Sequence, residues 1–246
     1  MKTFDRWASI GAHCLTKFQI NRYIAENFFD FERRNTLGSH HFLLRTDKDS
    51  IRNINGGSCL FDWTVIRDYR KITKHIGENF SDCKFEEADF AECKDGSGNV
   101  FTIACSTLGV EMPHLFAEKN HYENWRAEVD TLRPKIEHTV NEFLNLREHS
   151  TLYFVTYNSQ VLDASIVNGL VDAICKSRGE QAPDFHLLVA VPGSTGESLP
   201  AATERLSYRP INLSVLDHPD MPWLGSAETW DRIFDGFGLN GKGQQM

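Results

Sequence analysis

Residues 185–191 read Phe-His-Leu-Leu-Val-Ala-Val, a short segment that is apolar on both faces. A strand of this kind is typical of a sheet covered by helices on each side. Residues 161–178 carry an apolar side chain at every fourth position, which predicts a helix. Residues 151–156 predict a strand before that helix. Together the three segments predict a β-α-β unit with parallel strands, which limits the chain to a few α/β architectures.

A strand-turn-helix unit is also predicted at the start of the chain. Residues 6–12 form an apolar run, and residues 15–28 follow with helical periodicity. Further along, residues 90–93 and 100–103 alternate on either side of the turn-forming segment 94–99, which predicts a β-hairpin. The chain therefore contains both parallel and antiparallel pairing signals.

Residues 62–80 predict a helix with Asp62 as its N-cap, because an apolar stripe follows at helical spacing. The stripe consists of Val65, Tyr69, Ile72, Ile76 and Phe80. Another helix is predicted from residue 125, with Pro134 either kinking it or starting a new helix. A last strand is predicted at residues 211–216 and a closing helix at residues 228–237.

Two irregular segments complete the predicted organisation of the chain. Residues 32–57 are polar and rich in turn formers, which indicates a loop or insertion, and whether this segment covers a cleft as a lid is left open. The glycine- and glutamine-rich residues 238–246 indicate a flexible tail. We therefore predict one domain over residues 1–246, a three-layer α/β sandwich with a mostly parallel central sheet and an inserted β-hairpin.

Composition excludes several classes of function. The 34 acidic and 26 basic residues give a net charge of −8 without a basic stripe, which argues against nucleic acid as a partner. No apolar run approaches the roughly 20 residues that span a bilayer, and the first residues lack a signal-peptide core, so a cytoplasmic protein without membrane attachment is predicted. Six cysteines without a C-x-x-C pair indicate free thiols. The oligomeric state is left open.

Cys14 is the predicted nucleophile, because it stands where an apolar strand passes through Gly11 into an amphipathic helix. Free N–H groups and the positive end of a helix dipole favour a thiolate and hold a developing oxyanion. Gly11 would let the backbone approach a substrate, and Gly11 and His13 are predicted to line the binding site. The opposing interpretation is that Cys14 is a small buried apolar residue.

His114 is the predicted general base, because it follows the hairpin region and precedes the next helix. Asp217 or His218, at the end of the last predicted strand, would orient the base or bind substrate. Asp62 and Trp63 are either a helix cap and a core contact or part of the site, with the carboxylate steering the histidine.

No metal and no cofactor are predicted. His40 and His41 are adjacent, but no carboxylate or cysteine stands near them at a spacing that suits a metal. Residues 193–196 form a Gly-Ser-Thr-Gly loop after a strand, yet they lack the lysine and the glycine spacing of a phosphate-binding loop.

Four short motifs, in this order along the chain, resemble a bacterial family described as papain-like cysteine peptidases. They are Ser-Ile-Gly-Ala-His-Cys at residues 9–14, Phe-Asp-Trp at 61–63, Pro-His-Leu-Phe at 113–116 and Leu-Tyr-Phe-Val at 152–155. The resemblance implies that Cys14 is the thiol nucleophile and His114 its base, with Asp62 and Trp63 as signature positions. It also implies an α+β papain-like fold as the alternative to the α/β sandwich.

Two functions follow as hypotheses. The first is a cysteine-dependent acyl hydrolase or transferase, a papain-like cysteine peptidase by resemblance, that acts on a small-molecule, peptide or glycan substrate. The alternative is a non-catalytic protein that binds a glycan or a protein partner alongside cell-envelope polysaccharide enzymes. Its cleft would be lined by Trp63, Trp223 and Trp230, since aromatic rings suit sugars.

Overall fold

The computed structural model describes residues 2–11, 14–28, 48–116, 124–156, 162–192, 199–212 and 226–240. The helices in these ranges are α1 (Leu15–Phe28), α2 (Lys48–Asn55), α3 (Tyr69–Gly77), α4 (Trp125–Asn145), α5 (Ala164–Arg178) and α6 (Ala227–Phe234). None of these helices is long and apolar enough to cross a bilayer.

The strands fall into three sheets. They are β1 (Lys2–Phe4), β2 (Arg6–Ser9), β3 (Val65–Ile66), β4 (Phe90–Lys94), β5 (Val100–Cys105), β6 (Val110–Glu111), β7 (Thr151–Thr156), β8 (Phe185–Pro192), β9 (Leu206–Ile211) and β10 (Phe237–Leu239). The chain therefore has a mixed α/β architecture with parallel sheets and helices, as predicted in outline.

A four-stranded parallel sheet in the order β2-β7-β8-β9 carries the predicted β-α-β unit. Strand β7 pairs with β8 in parallel, with Tyr153 opposite Leu187, and α5 lies between them in the chain. The Asp163 carboxylate caps α5 by accepting from Ile166 N at 2.9 Å. Strand β9 was not predicted, and it ends at Ile211, where the predicted last strand begins. Residues 213–216 lie outside the described residues.

The two faces of the parallel sheet belong to two different apolar clusters. Tyr153 and Leu187 point into a cluster that includes α3, α4 and α5. Their neighbours Leu152 and Leu188 point into a second cluster with α1 and α6. Alternation along each strand thus produces the two-sided burial that the apolar run of β8 predicts.

The predicted hairpin is confirmed, but it is not inserted into the parallel sheet. Strands β4 and β5 pair antiparallel, and β5 continues through β6 to β3 in a separate four-stranded sheet. Short strands β3 and β6 were missed because two residues give no periodicity. The prediction of an inserted hairpin is therefore corrected to a second sheet.

The helix predicted at residues 62–80 is much shorter. Residues Leu60–Trp63 form a 3-10 turn, Val65–Ile66 form strand β3, and helix α3 begins only at Tyr69. Its cap is Asp68, whose carboxylate accepts from the N–H groups of Arg70 and Lys71. Asp62 is therefore not the cap of this helix. The spacing of apolar residues does not show that Val65 belongs to a strand and not to the helix, because an apolar side chain suits a buried position in either element.

Three further predictions are changed. Helix α2 occupies residues 48–55, so that part of the predicted 32–57 loop is helical, and residues 32–47 lie outside the described residues. Helix α4 runs through Pro134 without a new start. The predicted tail begins inside β10, which pairs in parallel with β1, whereas residues 241–246 lie outside the described residues.

Candidate functional site

Cys14 stands at the predicted junction between strand and helix. The ladder between β2 and β7 is extended by a hydrogen bond from Ile10 N to Phe154 O of 2.8 Å. Helix α1 starts directly after Cys14, whose carbonyl accepts from Phe18 N at 3.0 Å. The half-buried thiol therefore lies at the N-terminal end of α1, beyond the carboxyl end of β2.

Hydrogen bonds and packing hold Gly11, the last described residue before Cys14. Gly11 has φ +81°, and its carbonyl accepts from Thr156 N at 3.2 Å and from Thr16 Oγ1 at 3.4 Å. A Cβ on Gly11 would lie 2.4 Å from Ile66 Cδ1 and 2.9 Å from the Tyr69 hydroxyl. The space beside Gly11 is thus filled by the protein, which is the physical reason for glycine at this position.

The pKa of Cys14 is raised, whereas a position at a helix N-terminus is expected to lower it. Burial raises the pKa of the Cys14 thiol, and its own backbone N–H opposes that shift only in part. A base must therefore take the proton of Cys14 before or during any attack on a substrate.

Asp62 is fully buried in the 3-10 turn and pairs with Lys17 of α1. Its Oδ2 accepts from Lys17 Nζ at 2.9 Å and from Cys59 N at 2.8 Å. Burial raises the pKa of Asp62, although the Lys17 charge and the Cys59 N–H lower it. The second oxygen, Oδ1, has no hydrogen-bond partner among the described residues. Asp62 thus fixes the first turn of α1, and its observed charge partner is Lys17 rather than His114.

Trp63 and His114 lie against each other. Their ring centroids are 6.0 Å apart at an interplanar angle of 79°. The Trp63 indole N–H donates to Ser58 Oγ at 3.3 Å, and the His114 side chain is exposed. An imidazole on the edge of a tryptophan ring is oriented while it keeps access to solvent.

Several predicted site residues therefore share one region. The turn that holds Asp62 and Trp63 packs against β2, which precedes Gly11, and against α1, which follows Cys14, and His114 contacts Trp63. Open α/β sheets bind ligands at the carboxyl ends of their strands, and this region lies at the carboxyl end of β2. The predicted residues outside the described part of the chain are His13, His40, His41, Asp217, His218 and Trp223.

A cavity of about 440 Å³ lies at the opposite edge of the sheet, near the start of β8. It is lined by Phe185, Arg178 and Arg205, among others. The buried Arg178 donates to the carbonyl oxygens of His149 at 2.6 Å and Pro183 at 2.7 Å, so its guanidinium is occupied in joining loops. This arrangement holds the amino ends of the strands together and is separate from the Cys14 region.

Sequence reasoning missed a second cluster of reactive groups. His75, Asp82 and Cys83 bring one nitrogen, one oxygen and one sulfur atom within 4.8 Å of one another. The signal in the sequence is only a histidine followed seven residues later by Asp-Cys. That spacing matches no common metal motif, and the turn between them is what brings the groups together.

Comparison of the chain with models of known protein families, with curated proteins and with solved structures gives no match. Neither a family nor an activity is therefore transferred to the chain from these comparisons.

Proposed function

We propose that the protein is a cysteine-dependent acyl hydrolase or acyltransferase in which Cys14 is the nucleophile and His114 the general base. The observation that supports this most is the position of Cys14 at the N-terminal end of α1, beyond the carboxyl end of a parallel strand. Such a position combines a thiol with free backbone N–H groups. The resemblance of four short motifs to papain-like cysteine peptidases supports the same assignment.

In the proposed reaction, Cys14 Sγ attacks the carbonyl carbon of an amide, ester or thioester. His114 removes the thiol proton and returns it to the leaving group as that group departs. The N–H groups of Cys14 and Leu15 would stabilise the oxyanion. Water or another acceptor then attacks the acyl-enzyme and regenerates the thiol. Because burial raises the pKa of Cys14, the base is essential to this scheme.

The buried Lys17–Asp62 pair has a positioning role in this proposal. It ties the first turn of α1 to the turn that carries Trp63, and Trp63 contacts the His114 ring. Cys14 and His114 are far apart in the chain, and contacts of Lys17 with Asp62 and of Trp63 with His114 link the helix that follows Cys14 to His114. The three-layer sandwich is part of the same proposal, supported by the two apolar clusters on opposite faces of the sheet.

Two measurements test the assignment of Cys14. Iodoacetamide labelling at neutral pH, mapped by mass spectrometry, should modify Cys14 faster in wild type than in His114→Gln, because the base takes the thiol proton, whereas labelling of Cys93 should be the same in both. Hydrolysis of a panel of activated esters, thioesters and peptide amides should fall by about 10³-fold or more in Cys14→Ser and in His114→Gln. Cys93→Ser serves as the matched control and should keep full activity.

Either of two results would overturn the proposal. One is full hydrolysis by Cys14→Ser with an unchanged melting temperature. The other is labelling of Cys14 at the same rate in wild type and in His114→Gln. Loss of activity together with unfolding is separated from loss of chemistry by the melting temperature of each variant.

The alternative function is glycan binding in a cleft lined by three tryptophans, and one of these tryptophans, Trp230, is not available to line a cleft. Trp230 is 1% exposed and packs with Trp7 and Phe234 in the apolar cluster beside α1. A side chain in that position does not reach a surface ligand. The binding function therefore has less support from the structure than the acyl-transfer function.

A further inference from the structure

The end of α3 and the turn after it form a compact three-residue cluster. His75 lies in the last turn of the helix, and Asn79 and Phe80 then adopt left-handed conformations, with φ of +53° and +55°. These two residues reverse the chain so that Asp82 and Cys83 return to the His75 ring. The distance from His75 Nδ1 is 2.9 Å to Asp82 Oδ1 and 3.4 Å to Cys83 Sγ.

The orientation of the His75 ring is set from its far side. His75 Nε2 lies 3.0 Å from the carbonyl oxygen of Thr107, which only accepts, so we assign the ring proton to Nε2. Nδ1 faces Asp82 Oδ1 and Cys83 Sγ, and an ion at that point binds the Nδ1 lone pair in place of any proton shared with the Asp82 carboxylate. The ring is 3% exposed and stacks on Phe80. Metal-binding histidines are commonly fixed in this way by a carbonyl on the other nitrogen.

We propose that His75 Nδ1, Asp82 Oδ1 and Cys83 Sγ bind one divalent ion of the zinc class. The sulfur and the carboxylate oxygen are 3.8 Å apart, so one point lies about 2 Å from all three ligand atoms, close to the length of zinc–ligand bonds. Ideal tetrahedral coordination places such atoms about 3.4–3.6 Å apart. Only the His75–Asp82 contact has to lengthen, by about 0.5 Å.

The charges and the donor set favour this class of ion. A thiolate and a carboxylate together neutralise a divalent cation, and a sulfur–nitrogen–oxygen set suits zinc or cobalt better than calcium or magnesium. The other oxygen of Asp82 accepts from Lys74 Nζ at 3.0 Å, which orients the carboxylate without occupying Oδ1. Three protein ligands leave a fourth position for water, on the side where Asp82 is exposed.

Binding exchanges a proton for the metal ion. A cysteine without a bound ion is a thiol at neutral pH, because the ordinary pKa of this group is about 8.5. The ion forms a bond to Cys83 Sγ, the S–H bond breaks, and the proton leaves to solvent. Release of the Cys83 proton on metal binding is therefore expected.

The test uses the full chain without an affinity tag, after treatment with a chelator. Titration with Co²⁺ should give one equivalent bound and a thiolate-to-cobalt charge-transfer band, and calorimetry with Zn²⁺ in buffers of different ionisation enthalpy should report the released proton. Cys83→Ser should abolish the band and weaken Zn²⁺ binding by about 100-fold or more. Asp82→Asn should keep the band and weaken binding by about tenfold.

Matched variants separate this site from the other thiols. Cys93→Ser and Cys14→Ser should leave the Co²⁺ band and the stoichiometry unchanged, which also distinguishes the metal site from the proposed nucleophile. The inference is overturned if the wild-type chain binds less than one equivalent of Co²⁺ or Zn²⁺. It is also overturned if the charge-transfer band survives in Cys83→Ser.

Discussion

Lys17 and Asp62 form an ion pair that is almost fully removed from water, with side chains 5% and 0% exposed. Lys17→Met leaves the Asp62 carboxylate without its charge partner in the core. We expect this variant to lose about 3–5 kcal/mol of unfolding free energy in urea at pH 7. The double variant Lys17→Met with Asp62→Leu should recover most of that loss, because no charge then remains buried.

The same variant has a predicted pH dependence. Burial already raises the pKa of Asp62, and loss of the Lys17 ammonium raises it further. The folded state then binds a proton that the unfolded state releases, so stability increases as pH falls through the raised pKa. The deficit of Lys17→Met relative to wild type should therefore be smaller at pH 5 than at pH 7. An equal deficit at both pH values would contradict this account of the pair.

At the level of residues, the sequence predicted positions better than partners. Cys14 stands at its predicted junction because the apolar run and the helical periodicity on either side are local features. The partner of Asp62 was not predictable, because Lys17 is distant in the chain and only the packing of α1 brings it close. The cluster of His75 with Cys83 depends in the same way on a reversal at non-glycine residues.

Helix α4 contains Pro134 at an exposed position without a break in the helix. Proline in a helix interior lacks the N–H that would bond the carbonyl four residues earlier, at a cost of about 3 kcal/mol. Pro134→Ala should therefore stabilise the protein by about 2 kcal/mol, since the more flexible unfolded chain offsets up to about 1 kcal/mol. Thermal and urea unfolding measure this gain.

The adjacent Lys135 supplies the control, because it is exposed on the same helix. Lys135→Ala should change the unfolding free energy by less than about 0.5 kcal/mol. If Pro134→Ala destabilises the protein, then contacts of Pro134 outside its own helix stabilise the fold by more than the proline costs inside the helix.

At the level of elements, long periodic segments were predictable and short ones were not. Helix α1 and strand β7 lie at their predicted bounds. The predicted helix at residues 62–80 merged a turn, strand β3 and helix α3, because apolar side chains at similar spacing serve all three. Strand β3 is defined by pairing with β6, a contact between distant segments that local periodicity does not contain.

At the scale of the whole molecule, the two ends of the described chain are joined beside the parallel sheet. Strand β10 pairs with β1, and Asn240 N donates to Phe4 O at 2.7 Å. Asp5 adds to this junction, because its carboxylate accepts from Asn240 Nδ2 at 3.0 Å and from Ser150 Oγ at 2.7 Å. Asp5 thus connects the start of β2, the start of β7 and the end of β10.

This junction should make the free energy of unfolding depend on pH in the acidic range. Hydrogen bonds from Asn240 and Ser150 lower the pKa of Asp5, although burial raises it in part. The unfolded chain then binds a proton more readily than the folded chain, so the contribution of Asp5 is complete above its ordinary pKa and is lost as pH falls through the lowered value. Asp5→Asn should cost about 1 kcal/mol at pH 6, a modest value because the site is only half-buried.

The difference between wild type and Asp5→Asn should shrink when urea unfolding is repeated below pH 4, because the unfolded wild-type chain then binds a proton at Asp5 that the folded chain binds less readily. Glu137→Gln, which removes an exposed carboxylate from α4, should track wild type across the same pH range. A constant difference for Asp5→Asn at all pH values would show that the negative charge of Asp5 does not stabilise the junction. A shrinking difference would show that one carboxylate couples the closure of the chain ends to the pH of the solution.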